Sequence, residues 1–591
     1  MKTNRFAPLS LLVLSIAAAF AAAAQEPSSS FGERVEVEVV NVDVVVTDRD
    51  GNRVTGLGRD AFVIEVDGRT VPIDYFSSPS AKRPALAAAP APGAALEPAP
   101  EAVDVSTANL FVFVDQSALE WRTSRRILEE IRDFVLPRSG GSERIMITAF
   151  AENLRILAPP TADRAQIESA FAELEKLRGR GSLLAAERNR LEREVRENAK
   201  PRPQVQIIDP ETGQAGAEQM AREKQQDETD TAMLRQLIDD FAEQEIARQG
   251  RAVAALREWI GALSAIEGRK SVLFASAGYS SQPEAFLTRF LDMKKGTTPT
   301  ENTTSLRLPT ASVELVSDLE SAVKAAQNAR VAFYTVSPRE TPSATSGAEF
   351  ASAGAIAATA PPRDPSIAEA ASSLQRLAVS TGGSALFLDD GLSDRLETVA
   401  DDAAASYSLG FTTDEKAGGG DHRIRVRVVG DGLEVRHRES FRRTTLAERS
   451  EAALVAAATL GTTVNPMAVR LELGEPKPVE KRSKEMMVPI LVRIPLALVT
   501  LSPDGDPRSA KLTARVAVLN ESRQVRFGAT SPIAISIPAG DLEKALGSYW
   551  AYRAEAMVAP GSQRIAVLVA DENGDTLSTA TASIDIGKKT N

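Results

Sequence analysis

Few residues in this chain are of a type that does chemistry. There is no cysteine, and the histidines are His422 and His437 alone. Disulfides, thiolate metal sites and cysteine nucleophiles are therefore excluded, and two imidazoles are too few for a multi-histidine zinc site. Any site must be built from oxygen. The arrangement that stands out is Asn109-Leu-Phe-Val-Phe-Val-Asp-Gln-Ser117, an apolar run that stops abruptly at Asp115 and Ser117. A carboxylate at a strand end, with hydroxyls after it and further oxygens from neighbouring loops, suits Mg²⁺, which takes oxygen ligands in an octahedron and keeps waters or a partner's carboxylate as the remainder. The pairs Asp389-Asp390 and Asp401-Asp402 are the candidates for a hydrolase. Adjacent carboxylates on a loop or helix ordinarily face solvent, so an enzyme is not expected. The acidic turns at Asp50-Gly51-Asn52 and Asp67-Gly68 could hold Ca²⁺ but read better as solvated hairpin turns. His437 shares a face with Leu433 and Val435 and reads as a satisfied, partly buried side chain.

The elements that would position Asp115 follow an α/β rhythm. The run 110–114 predicts a buried parallel strand, and a helix-like segment follows from Thr123 to about Leu136. Strands are expected at Arg144–Phe150, Ser271–Ala275, Val331–Val336 and Ala385–Leu388, with helices between them. In an open sheet of this kind ligands bind at the strands' C-terminal edge. Residues 183–250 interrupt the rhythm with charged helical runs. They predict a projecting helical hairpin, either a solvated insertion or an interaction arm.

At 591 residues the chain needs three to four domains. Its formal charge of −11 weighs against nucleic acid as a partner. Lys2 and Arg5, an apolar core from Leu9 to Phe20 and Ala22-Ala23-Ala24 predict a signal peptide over 1–24, cleaved before Gln25. No later run would span a membrane, so the expected location is secreted or periplasmic. A small N-terminal β module is expected at 33–77 and an Ala/Pro linker at 78–106. The α/β domain is expected at 107–445 with its insertion at 183–250, followed by a linker at 446–484. A C-terminal β-sandwich of immunoglobulin-like pattern is expected at 485–587.

Asp115 and Ser117, the loop Gly179-Arg-Gly-Ser182 and the strand end Ser276-Ala277-Gly278 together resemble the von Willebrand factor type A domain. That family carries Asp-x-Ser-x-Ser, a later Thr and a later Asp in a metal-ion-dependent adhesion site. Here Leu119 replaces the second serine, Ser182 substitutes for the threonine and Ala277 stands where the aspartate would be. The resemblance implies a degenerate metal site of Asp115, Ser117 and Ser182, with no cofactor or at most Mg²⁺. A wider set of motifs adds Asp60-Ala-Phe62, Gly268 to Gly278, Thr381-Gly-Gly383 and Tyr407-Ser-Leu-Gly-Phe411. Over roughly residues 33–445 these are similar to exported von Willebrand A-related proteins of Acidobacteria. This implies an extracytoplasmic protein with a multidomain α/β architecture around a Rossmann-like domain. The function expected is a protein-binding module for adhesion or envelope assembly, docking a partner at the sheet edge. The alternative is an envelope scaffold whose helical hairpin and β modules make the contacts.

Overall fold

An apolar run with no polar alternation needs cover on both faces. The computed structural model describes residues 38–79, 109–199, 215–294, 310–338, 364–389, 391–413, 420–479, 485–502 and 505–587. The signal segment 1–24, nearly all of the 78–106 linker and Asp390 lie outside the described residues. The apolar run forms the strand Asn109–Asp115, buried along its whole length. Phe111 and Phe113 face a layer that holds Trp259, Phe274 and Phe333. Leu110, Val112 and Val114 face the opposite layer, against Ile127, Ile131 and Val135 of the helix Trp121–Val135. Parallel partners flank the strand, Arg144–Phe150 on one side and Lys270–Ala275 on the other. Val331–Ser337 and Ser384–Phe387 extend the parallel sheet, while Leu154–Thr161 closes the far edge antiparallel. Counted along the chain, these six strands lie in the order 3-2-1-4-5-6, the doubly wound arrangement. The order reverses between the Asp115 strand and Lys270–Ala275, which places Asp115 at the switch point.

The insertion is a hairpin of the helices Gly181–Asn198 and Ala215–Leu263. The second helix runs unbroken for 49 residues, about 70 Å at 1.5 Å per residue. Gly250 stays helical within it. Residues 221–229 are exposed along this helix. Further on, Leu234 and Ile238 pack with Leu191, Val195, Phe286 and Phe290. From Ile246 onward the helix lies on the sheet and buries Val253, Leu256, Trp259 and Ile260. The projecting arm and the crossover helix that returns the chain to the sheet are thus one rigid element.

The N-terminal β stretch does not complete itself. Val40, Val42, Val44 and Val46 make one buried stripe, but their strand Glu38–Thr47 pairs with Tyr407–Thr413 and Glu434–Arg436. Phe62–Val66 likewise pairs with Asp421–Val428. Two four-stranded sheets result, around a shared core that includes Phe62, Ile64, Tyr407, Leu409 and Phe411. The module expected at 33–77 and the antiparallel ending of 107–445 are one β unit, and the α/β domain is inserted between its halves. So few residues cannot bury a two-sheet core unaided, and the partner strands arrive from the far side of the inserted domain. Asp402, fully buried, accepts from Arg53, Arg436 and the Tyr334 hydroxyl and ties this unit to the helix Leu392–Ala404.

The 446–484 segment, expected as a linker, is largely structured. Thr445 and Glu448 form a capping box at the start of the helix Leu446–Leu460. Ala453, Ala457 and Ala458 pack against Ala517, Ala566 and Leu568, while Ala456 and Leu460 enter the α/β core. The small side chains let one helix lie close to both domains. Beyond it, antiparallel sheets of four and five strands share a core that includes Val488, Ile490, Val492, Leu512, Ile565 and Val567.

Candidate functional site

Asp115 ends its strand 2% exposed, and its carboxylate is fully engaged. Oδ1 accepts from the Ser117 backbone N at 3.0 Å and from Ser117 Oγ at 2.6 Å. Oδ2 accepts from Ser276 Oγ at 3.0 Å and from the Tyr279 hydroxyl at 3.2 Å. Burial and the adjacent Asp115 carboxylate push the Tyr279 phenol well above its ordinary value, which keeps it a donor.

A cation sits on this cluster. Arg248, on the long helix, donates from Nη1 to Ser117 Oγ at 2.8 Å. The same guanidinium forks onto Glu245, one turn earlier, with Nε to Oε2 at 2.9 Å. Burial works against the guanidinium charge, but Glu245 and Asp115 more than restore it, so its pKa lies above the ordinary value. Gln249 fixes the helix against the opposite loop by accepting from Ser280 N at 2.8 Å. A cavity of about 250 Å³ opens beside Arg248, lined also by Ser117, Phe150, Glu152, Arg180 and Arg251. A larger cavity of about 1120 Å³ lies at the other end of the sheet, by Asn109 and Ser271, away from the C-terminal edge.

Of the residues read from sequence, Asp115 and Ser117 come together and Ser182 does not join them. Ser182 Oγ accepts from Trp121 N at 3.2 Å and so satisfies a free donor at the start of the helix Trp121–Val135. Its loop does lie against the Asp115 loop. A Cβ at Gly179 would stand 2.2 Å from Gln116 O, and one at Gly181 would stand 2.2 Å from Leu119 O. Leu119, where the resemblance calls for a hydroxyl, is a buried core side chain. The sequence places Ser276 at the strand end without showing its bond to Asp115, and it does not single out Tyr279 or Arg248. Tyr279 follows the same strand end and is findable there. Arg248, on a charged helix, carried no such signal.

This donor set does not fit a hard divalent cation. It offers one carboxylate, which already accepts hydroxyl protons on both oxygens, and a guanidinium bonded to the only serine that follows it in the loop. Among the described residues no group of three or more His, Cys, Asp or Glu side chains is placed to hold a metal ion. Asp401 and Asp402 do not offer paired carboxylates either. Asp402 is buried among arginines while Asp401 is exposed, and Asp389 accepts from Gly391 N and from Arg395. The Asp48 carboxylate is taken up by its own turn, bonding Asp50 N and Asn52 N at 2.9 Å each. His437 is satisfied as expected, accepting from Val426 N at 3.1 Å and bonding the Arg438 carbonyl at 2.7 Å.

No protein-family model matches this chain, and no curated protein matches it. Among solved structures, a von Willebrand factor type A protein from Catenulispora acidiphila is similar over 82% of this chain and 67% of its own, at 9% identity and a TM-score of 0.20. The pilus adhesin SpaC from Lactobacillus rhamnosus GG is similar over 81% of this chain and 54% of its own, at 8% identity and a TM-score of 0.22. A putative ApaA protein from Bordetella pertussis covers 21% of this chain and 97% of its own, at 12% identity and a TM-score of 0.14. Likenesses this slight carry no argument.

Proposed function

We propose that this chain is an exported protein-binding module, for adhesion or envelope assembly, that docks a partner at the C-terminal edge of its α/β sheet with Arg248 in place of a metal ion. The observation that carries this reading is the switch-point cavity beside Arg248, with the exposed side chains of Arg180 and Arg251 at its mouth. Ser182 serves this edge by holding the neighbouring helix start, and Mg²⁺ is not part of the proposal. Secretion or a periplasmic location rests on the signal pattern of residues 1–24, and kinship with the acidobacterial proteins rests on sequence motifs alone. No described helix is long and apolar enough to cross a membrane.

A photo-crosslinking residue at position 251 tests the docking edge, and one at position 222 on the exposed part of the long helix tests the arm. The docking reading expects a defined protein adduct in the native envelope from 251, reduced by Ala151→Trp, because Ala151 also lines the cavity and a larger side chain there narrows it. Adducts from 222 alone would overturn it and favour the scaffold reading, which the exposure of residues 221–229 supports.

A further inference from the structure

The strand Tyr549–Val558 borders the first sheet of the C-terminal sandwich. It pairs with Met486–Pro495 on one side, and no described strand pairs with the other. An open row of backbone donors and acceptors invites another strand, and natural edges are ordinarily blunted by proline, lysine or a covering segment. Other edges of this sandwich are defended. Ser531–Ile537 contains Pro532. Thr576–Ile586 is covered where Thr579 N donates to Val464 O at 2.6 Å and Met467 N donates to Ser578 Oγ at 2.9 Å. The sequence Tyr-Trp-Ala-Tyr-Arg-Ala-Glu-Ala-Met-Val has no proline and no lysine across its 10 residues, and its charges are Arg553 and Glu555 alone. Exposed large apolar side chains gather on it and beside it: Tyr549, Trp550 and Met557, with Leu498 and Leu546 near its first residue.

The charges on this strand are self-complementary. Arg553 and Glu555 lie two residues apart on the outward face, both exposed, and neither makes an ion pair among the described residues. Antiparallel pairing of the strand with itself has one register in which opposite charges meet. Centring on Ala554 sets Arg553 of each copy opposite Glu555 of the other. Centring on Arg553 or on Glu555 sets like charges together, which destabilises a sheet. The same register keeps the two outward faces on one side, so a two-fold axis through the Ala554 pair generates a continuous sheet across both copies.

We infer that this chain dimerises through Tyr549–Val558, each strand pairing antiparallel with its copy about Ala554, held by reciprocal Arg553–Glu555 pairs. The test is the sedimentation mass of the full chain at micromolar concentration. The dimer reading expects twice the chain mass for the natural sequence. Arg553→Glu should give a monomer, weakened at least tenfold in association, and the swap Arg553→Glu with Glu555→Arg should restore the dimer. Because the chain has no cysteine, Ala554→Cys adds an independent readout. Paired residues stand about 4.5–5.5 Å apart at Cα, within disulfide range. Oxidation should therefore crosslink Ala554→Cys and leave Glu572→Cys, on a different strand end, uncrosslinked. A monomeric natural chain at 100 µM, or a dimer indifferent to Arg553→Glu and uncrosslinked through residue 554, would overturn the inference.

Discussion

Replacing Arg248 with methionine removes the charge while keeping much of the apolar stem. The side chains of Arg248 and Glu245 are 13% and 17% exposed, so the pair is mostly withdrawn from water. Without the guanidinium, Glu245 loses its fork and Ser117 Oγ loses a donor. Removing one member of a buried ion pair costs about 3–5 kcal/mol, and the residual exposure here brings the expected loss to roughly 2–3 kcal/mol. For a domain of this size, that lowers the melting temperature of the α/β transition by roughly 4–12 °C. The whole chain will not melt in one step, so that transition should be followed by calorimetry alongside near-ultraviolet signal. A double-mutant cycle with Ser117→Ala isolates the contact at the switch point. The hydrogen bond to a charged donor should appear as a coupling of about 1 kcal/mol or more. Additivity within about 0.3 kcal/mol would refute the reasoning, because Arg248 would then be stabilising the helix through Glu245 and not seating the Asp115 loop.

Burial, with Arg330 nearby, lowers Lys270 to about 7 from its ordinary 10.5. Between those values the unfolded chain binds more protons than the folded one, so stability should be fullest above the unfolded pKa and be lost as pH falls towards 7, with a slope of up to about 1.4 kcal/mol per unit. Urea midpoints from pH 7 to 10 should show this rise, and Lys270→Met should flatten it. Gly181→Ala should destabilise by at least about 2 kcal/mol, because its Cβ meets fixed Leu119 backbone, whereas Gly250→Ala, in an open helical position, should stabilise by roughly 0.5–1 kcal/mol. Denaturant titration of both variants checks the contrast. Asp402→Asn should cost roughly 2–3 kcal/mol in calorimetry, because the half-buried Arg436 and Arg53 lose the buried counter-charge they share.

The central strand was legible because its physics is local. A run buried on both faces has no polar alternation, and the abrupt change at Asp115 marks where it meets the loops of the sheet edge. The neighbouring Gly179-Arg-Gly-Ser182 loop lies against the Asp115 loop, where its glycines allow close approach, but the direction of the Ser182 hydroxyl is decided by a helix start that sequence spacing does not reveal. Arg248 was illegible for a different reason. It lies 131 residues beyond Ser117, in an i,i+3 pair with Glu245 that looks like any solvated helix face. The β unit shows the same limit. The valine stripe of Glu38–Thr47 announced a half-buried strand, yet its partner, Tyr407–Thr413, lies beyond the whole α/β domain.

The central claim is that a guanidinium replaces the metal ion at the switch point. Calorimetric titration of Mg²⁺ and of Mn²⁺ into the full chain tests it most directly. The account predicts no saturable heat up to millimolar ion and an identical trace for Asp115→Ala. Micromolar binding that disappears in Asp115→Ala would contradict it.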